Sequence, residues 1–134
     1  MRYLLDTTIV SDLIRNPNGS SAQRVREVGE SRICTSIIVA AELRYGASKK
    51  GSAQWEARVD AILNALEVVP FAAPADAAYG LIRNRLEQRG KLIGANDLLI
   101  GAHAMALGYV LVTDNESEFE RIEGLAVENW LRPT

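Results

Sequence analysis

The side chains able to do chemistry in this 134-residue chain are almost all carboxylates. Cys34 is the lone cysteine and His103 the lone histidine, which excludes an intramolecular disulfide, a Cys-rich metal site and a multi-histidine zinc site. Neither common Gly-rich phosphate loop is present. Four acids stand where they can act together. Asp6 and Asp114 each follow an apolar run (RYLL at 2–5, YVLVT at 109–113), Glu42 sits within IIVAAEL, and Asp97 follows Asn96 in NDLLIGAHAMAL. Gaps of 36, 55 and 17 residues separate them, so only a fold can gather them. Taken singly, three have ordinary structural uses. Asp6 can cap a helix, Asp97 can serve a helix dipole for ~0.3–1 kcal/mol, and Asp114 can join Asn115 in a turn. Glu42 is harder to place, because an acid among apolar neighbours needs a partner or a cation. In one pocket the four repel one another, and a hard divalent cation with oxygen ligands, Mg2+ or Mn2+, neutralises them. Such a site polarises a water and stabilises charge on a phosphoryl group.

Polar neighbours are in place to orient these acids: Thr7, Thr8, Thr113 and Asn115. Arg44, Lys49 and Lys50 lie on or just after the Glu42 segment and are candidates to meet a phosphate backbone. His103 reads as a structural helix residue. Aromatic residues are only 6% of the chain, and Trp55 and Trp130 read as buried, so base stacking has little support.

The elements that must position the acids alternate along the chain. A short strand over 2–5 leads to a helix over 7–16, and Ser20 or Ser21 is expected to cap the next helix. A strand over 32–36 runs into a helix over 37–50 with apolar positions 38, 39, 41, 43 and 45. A helix from 51–52 to about 66 puts Trp55, Val59, Ile62, Leu63 and Leu66 on one face. EVVPFA at 67–72 predicts an edge strand, because Pro70 has no N–H to give an interior ladder. A helix over 75–89 buries Ala78, Leu81, Ile82 and Leu86 and stops at Gly90. Asn96 is expected to cap a helix over 96–107, which Gly108 ends. YVLVT is a strand buried on both faces, and a short helix (ESEFERI) and a strand near 126–130 follow. The pattern predicts a three-layer α/β/α sandwich with a mostly parallel central sheet, as one domain over 1–134. In such sheets ligands bind beyond the carboxyl ends of the strands, where Asp6 and Asp114 stand.

Net charge is −2, which argues against a simple nucleic-acid clamp, but its distribution is uneven. Residues 1–91 carry 13 Lys and Arg against 10 acids, and residues 92–134 carry 2 against 7, so a basic rim can face an acidic focus. No apolar run is long enough to span a membrane, and Asp6 interrupts the N-terminal run that a signal peptide would need; the expected location is cytoplasmic.

LLDTT at 4–8, AAELRYG at 40–46, GANDLLIGAHA at 94–104, LVTDN at 111–115 with Glu118-Phe119, and ENW at 128–130 resemble PIN-domain ribonucleases of the VapC toxin type. The resemblance covers essentially the whole chain in order. It implies Mg2+- or Mn2+-dependent endonucleolytic cleavage of RNA, with Asp6, Glu42, Asp97 and Asp114 as the acidic quartet and Glu118 as a supporting acid. It further implies a homodimer and a VapB-type antitoxin that blocks the site and, through its own domain, binds operator DNA. One position departs from the pattern: the family usually has Asn directly after Asp-Thr, and this chain has Thr8. Two other readings compete. A phosphoacceptor signalling domain would want paired acids at the first strand and a Lys after a late one, and an inactive PIN-fold binding module would keep the fold for its interface alone.

Overall fold

The computed structural model describes residues 1–132. Strand β1 (Tyr3–Leu5) lies at the centre of a five-stranded sheet with β2 (Ile33–Ser36), β3 (Glu67–Val69), β4 (Val110–Val112) and β5 (Val127–Glu128), in the order β3-β2-β1-β4-β5. All four pairings are parallel. β1, β2 and β4 are buried at every residue, as strands covered on both faces must be. β3 is the edge strand that Pro70 predicted.

The helices are α1 (Thr7–Arg15), α2 (Ser20–Val28), α3 (Ile37–Lys50), α4 (Ala53–Ala65), α5 (Ala75–Gln88), α6 (Ala95–Leu107) and the short α7 (Glu116–Phe119). From β1 the chain moves one way to β2 and β3; from β3 it returns across the sheet to β4 and β5. Right-handed crossovers therefore lay α1–α4 on one face and α5–α7 on the other. The direction reverses between β1 and β4, which leaves a crevice at their carboxyl ends. This is the expected three-layer sandwich. Of the expected domain over 1–134, residues 133–134 lie outside the described residues. Among the described residues no helix is long and apolar enough to cross a membrane.

Several local expectations need correction. Gly19, not Ser20 or Ser21, caps α2, and Ser20 is already helical. Gly94, not Asn96, caps α6, because the Asn96 side chain is drawn to Glu42 instead. On α3 the buried stripe is Val39, Ala40, Leu43 and Ala47; Ala41 and Tyr45, about 200° around the helix from Val39 and Leu43, are exposed. Leu81 is 52% exposed for the same reason, being one step off the stripe set by Ile82 and Leu86. Trp55 is only half-buried, with Lys50 over its ring face, whereas Trp130 is buried as expected.

α6 is held against the short α7 segment by a missing side chain. A Cβ at Gly101 would stand 2.5 Å from Ile122 Cδ1 and 3.5 Å from Phe119 Cδ1. Gly101→Ala gains ~1 kcal/mol of helix propensity but overpacks a buried contact at about 1–3 kcal/mol. A melting temperature lower by a few degrees is expected, measured by thermal denaturation; a rise would show that Ile122 yields freely.

Candidate active site

Asp6 is built into the end of β1. Its N–H continues the ladder to the Val112 carbonyl (3.0 Å), and its side chain caps α1 by accepting from the Ile9 N–H (3.1 Å). Thr8 donates to the same oxygen (2.6 Å) and Thr113 donates to the other, so both carboxylate oxygens are engaged in a residue only 3% exposed. Burial pushes the Asp6 carboxyl up, and the hydrogen bonds from Thr113, Thr8 and Ile9 only partly offset it. The capping use and the chemical use fall on the same side chain.

β4 is level with β1, Leu5 opposite Val112, and so delivers Asp114 beside Asp6. The Thr8 hydroxyl that donates to Asp6 also accepts from the Asp114 N–H (3.1 Å). Glu42 reaches in from α3, accepting from the Thr7 hydroxyl and from Asn96 Nδ2 (3.1 Å). Thus α3 and α6, from opposite layers, meet over the carboxyl edge of the sheet. Asp97, in the first turn of α6, is raised to about 7 by burial, by a hydrogen bond with Glu118, and by the charges of Glu118, Glu42 and Asp6. Glu118 moves the other way. Burial works against its ionisation, but the Gly94 N–H (2.7 Å), Asp97, Asn115 and the charge of Arg121 outweigh it. Asn115 donates to Asp97 (3.4 Å) and to Glu118, while its own N–H donates to Thr113 (2.9 Å).

The four expected acids and all five supporting residues therefore share one carboxyl-edge cluster. Hydroxyls and amides bridge it, and among the described residues no Lys or Arg pairs with any of the four. Nor, among these residues, do three acidic, His or Cys side chains already stand close enough together to hold a metal ion. The donor set is nonetheless all oxygen and short of positive charge, which fits a hard divalent cation.

The basic candidates divide. Arg44 faces α4 and pairs with Asp60 (2.6 Å), and Lys50 covers Trp55. Lys49, seven residues after Glu42, is exposed on the same face of α3. His103 is structural: its Nδ1 meets the Ser36 hydroxyl (2.8 Å), which caps α3, and burial lowers its pKa. Burial pushes the Cys34 thiol up to about 11, which leaves it inert. Sequence reasoning takes Asn96 for a cap, gives Asn129 no role, and leaves open whether Glu116 or Glu118 reaches the acids; Glu118 lies against Asp97, while Glu116 is tied in through Asn129. Asn129 Nδ2 donates to Asp114 (3.0 Å) and to Glu116 (2.9 Å).

The PIN domain model matches residues 3–125. "Ribonuclease VapC2" of Rickettsia felis is 42% identical over 97% of this chain and 98% of its own length. "tRNA(fMet)-specific endonuclease VapC" of Salmonella typhimurium is 35% identical over 97% and 98%. Among solved structures, VapBC2 from Rickettsia felis bound to a promoter DNA fragment superposes with a TM-score of 0.88 at 41% identity, covering 97% of this chain and 99% of that one. The chain is a PIN domain of the VapC family. In this PIN domain the one rotatable hydroxyl of Thr8 both donates to Asp6 and accepts from the Asp114 N–H. β5 and Asn129 lie beyond the matched stretch of the PIN domain.

Proposed function

We propose that this chain, as a single catalytic domain, is a metal-dependent endoribonuclease and the toxin of a toxin–antitoxin pair. The observation that carries this reading is the gathering of Asp6, Glu42, Asp97 and Asp114 at the β1/β4 crevice, with Asp97 lifted to about 7 by burial first, then by Glu118 and the charges of Glu42 and Asp6. The names of the VapC relatives support RNA as substrate. Asp6, Glu42, Asp97 and Asp114 would hold Mg2+ or Mn2+, which when bound supplies a polarised water and positive charge for the scissile phosphoryl group.

The chain's own groups prepare that site. Thr8 and Thr113 fix Asp6, Thr7 and Asn96 fix Glu42, and Asn115 spans Asp97 and Glu118. Near neutral pH the Asp97–Glu118 pair shares a proton held on Asp97, which must leave before both acids ionise. Of the basic candidates for the RNA backbone, Lys49 is exposed on the Glu42 face of α3, whereas Arg44 pairs with Asp60 and Lys50 lies over Trp55.

For the antitoxin, a groove of about 670 Å3 lined by Leu13, Ala22, Val25, Ile62 and Leu66 supports docking of an apolar segment across α1, α2 and α4. A VapB-type chain seated there would place an Arg or Lys over the acids, since a guanidinium forks two carboxylates, and operator DNA would be bound through the antitoxin. A homodimer belongs to the same proposal, with exposed Ile37 and Tyr45 on α3 as its candidate contacts. Total RNA incubated with purified protein is expected to be cut with Mg2+ or Mn2+ and left intact in EDTA. Cleavage that persists in EDTA would overturn the metal mechanism, and no cleavage with either cation would favour an inactive binding module.

A further inference from the structure

We propose that Asn129, outside the stretch the PIN domain model matches, is a positioning residue that acts through Asp114. The inference rests on the metal-dependent reading above. Asp114 is exposed, and its backbone N–H is held by Thr8, but among the described residues its carboxylate has one hydrogen-bond partner, Asn129 Nδ2 at 3.0 Å. The second hydrogen of the same amide goes to Glu116 Oε1 at 2.9 Å. The amide cannot be turned the other way, because its Oδ1 accepts the Leu131 N–H (2.9 Å).

The segment carrying Asn129 is itself anchored. The Glu128 carbonyl accepts from the Thr113 N–H (2.9 Å) and continues the β4–β5 register, which brings Asn129 alongside Thr113, one residue from Asp114. Trp130 is buried against Tyr3, with ring centroids 5.2 Å apart, and donates its indole N–H to Glu128 (2.9 Å). The chemistry suits an amide in particular. An NH2 group offers two donors without charge, so it can hold two acids side by side without adding a positive charge to the site. A Lys or Arg there would neutralise Asp114 and compete with a cation; a hydroxyl would have one hydrogen to give. Among the described residues the other Asp114 oxygen, Oδ2, accepts no hydrogen bond. Groups that orient a metal ligand in this way are typically worth about 10–100-fold in affinity or activity.

Mn2+ binding, followed by electron paramagnetic resonance of the free ion, tests this on wild type, Asn129→Ala, Asp114→Asn and the double variant. Asn129→Ala is expected to weaken Mn2+ binding about 10–100-fold and to lower kcat for RNA cleavage more than it changes KM. In the Asp114→Asn background, Asn129→Ala should weaken binding little further, since its effect passes through a carboxylate already lost. A purely structural role would instead add in full. Wild-type binding by Asn129→Ala, or full additivity in the double variant, overturns the proposal. If Asn129→Ala fails to fold, Asn129→Asp, which keeps an oxygen for the Leu131 N–H but has no hydrogen to give Asp114, serves in its place under the same criteria. If the wild type cleaves RNA but binds no Mn2+, the metal-dependent reading itself fails and takes this inference with it.

Discussion

Asp6→Asn is expected to lower RNA cleavage by about a hundredfold or more while the protein melts at or slightly above the wild-type temperature. The two effects separate because Asp6 does two jobs that need different atoms. As the α1 cap it needs only an oxygen facing the Ile9 N–H and the Thr8 hydroxyl, which an amide oxygen supplies. The Nδ2 then faces Thr113, whose hydroxyl can rotate from donor to acceptor. Burial makes the ionised form costly, so a neutral side chain relieves that cost. As a cation ligand, by contrast, Asn lacks the negative charge, and charge stabilisation by a catalytic metal is worth several kcal/mol, of which about 2.7 already gives a hundredfold. Single-turnover RNA cleavage beside a thermal melt measures both. A variant that cleaves at the wild-type rate would remove Asp6 from the site, and one that melts far lower would reduce it to a cap.

Asp97→Asn should change stability in opposite senses with and without metal. In EDTA the wild-type Asp97 carboxyl titrates near 7 rather than 3.8. Between those values the native state keeps a proton that the unfolded chain has released, so its contribution is fully present below pH 3.8 and lost as pH rises to about 7. A rise of that size corresponds to about 4 kcal/mol in a fully desolvated site. Asp97 is half-buried, and solvent screening reduces this to about 1–2 kcal/mol. The Asn variant should therefore melt above wild type at pH 7.5 and lose that advantage near pH 4. Loss of the helix-dipole interaction takes back ~0.3–1 kcal/mol at neutral pH. With Mn2+ at a hundredfold excess over Kd, wild type gains about 2.7 kcal/mol and the variant far less. Equal Mn2+-induced rises in melting temperature would place Asp97 outside the metal site.

Much of this geometry was legible because parallel sheets advertise their ligand edge. Apolar runs that stop abruptly at Asp6 and Asp114 name the two central strands and the acids beyond them, and Glu42 is conspicuous among small apolar neighbours. The amides were not legible. Asn96 looks like a cap until Glu42, 54 residues earlier in the chain, draws its side chain away and leaves capping to the Gly94 backbone. Asn129 follows a two-residue strand, where an amide ordinarily means a turn, and its partners depend on the β4–β5 register. Leu81 and Tyr45 mislead for a simpler reason: hydrophobicity alone does not say which apolar side chains on a helix the sheet will cover.

The central position of β1 also governs when a newly made chain becomes active. β1 finds β2 some 30 residues later, but Thr113, which holds Asp6, lies 107 residues away in sequence. At about 5–20 residues per second, a ribosome takes roughly 5–20 s to cover that distance. Throughout that interval Asp6 lacks Thr113 and Asp114, and one edge of β1 has no partner. Translation of the toxin therefore runs most of its course without a competent nuclease attached to the ribosome. A chain broken off before β4 carries no complete acid cluster, only an open apolar strand edge of the kind that aggregates or is degraded.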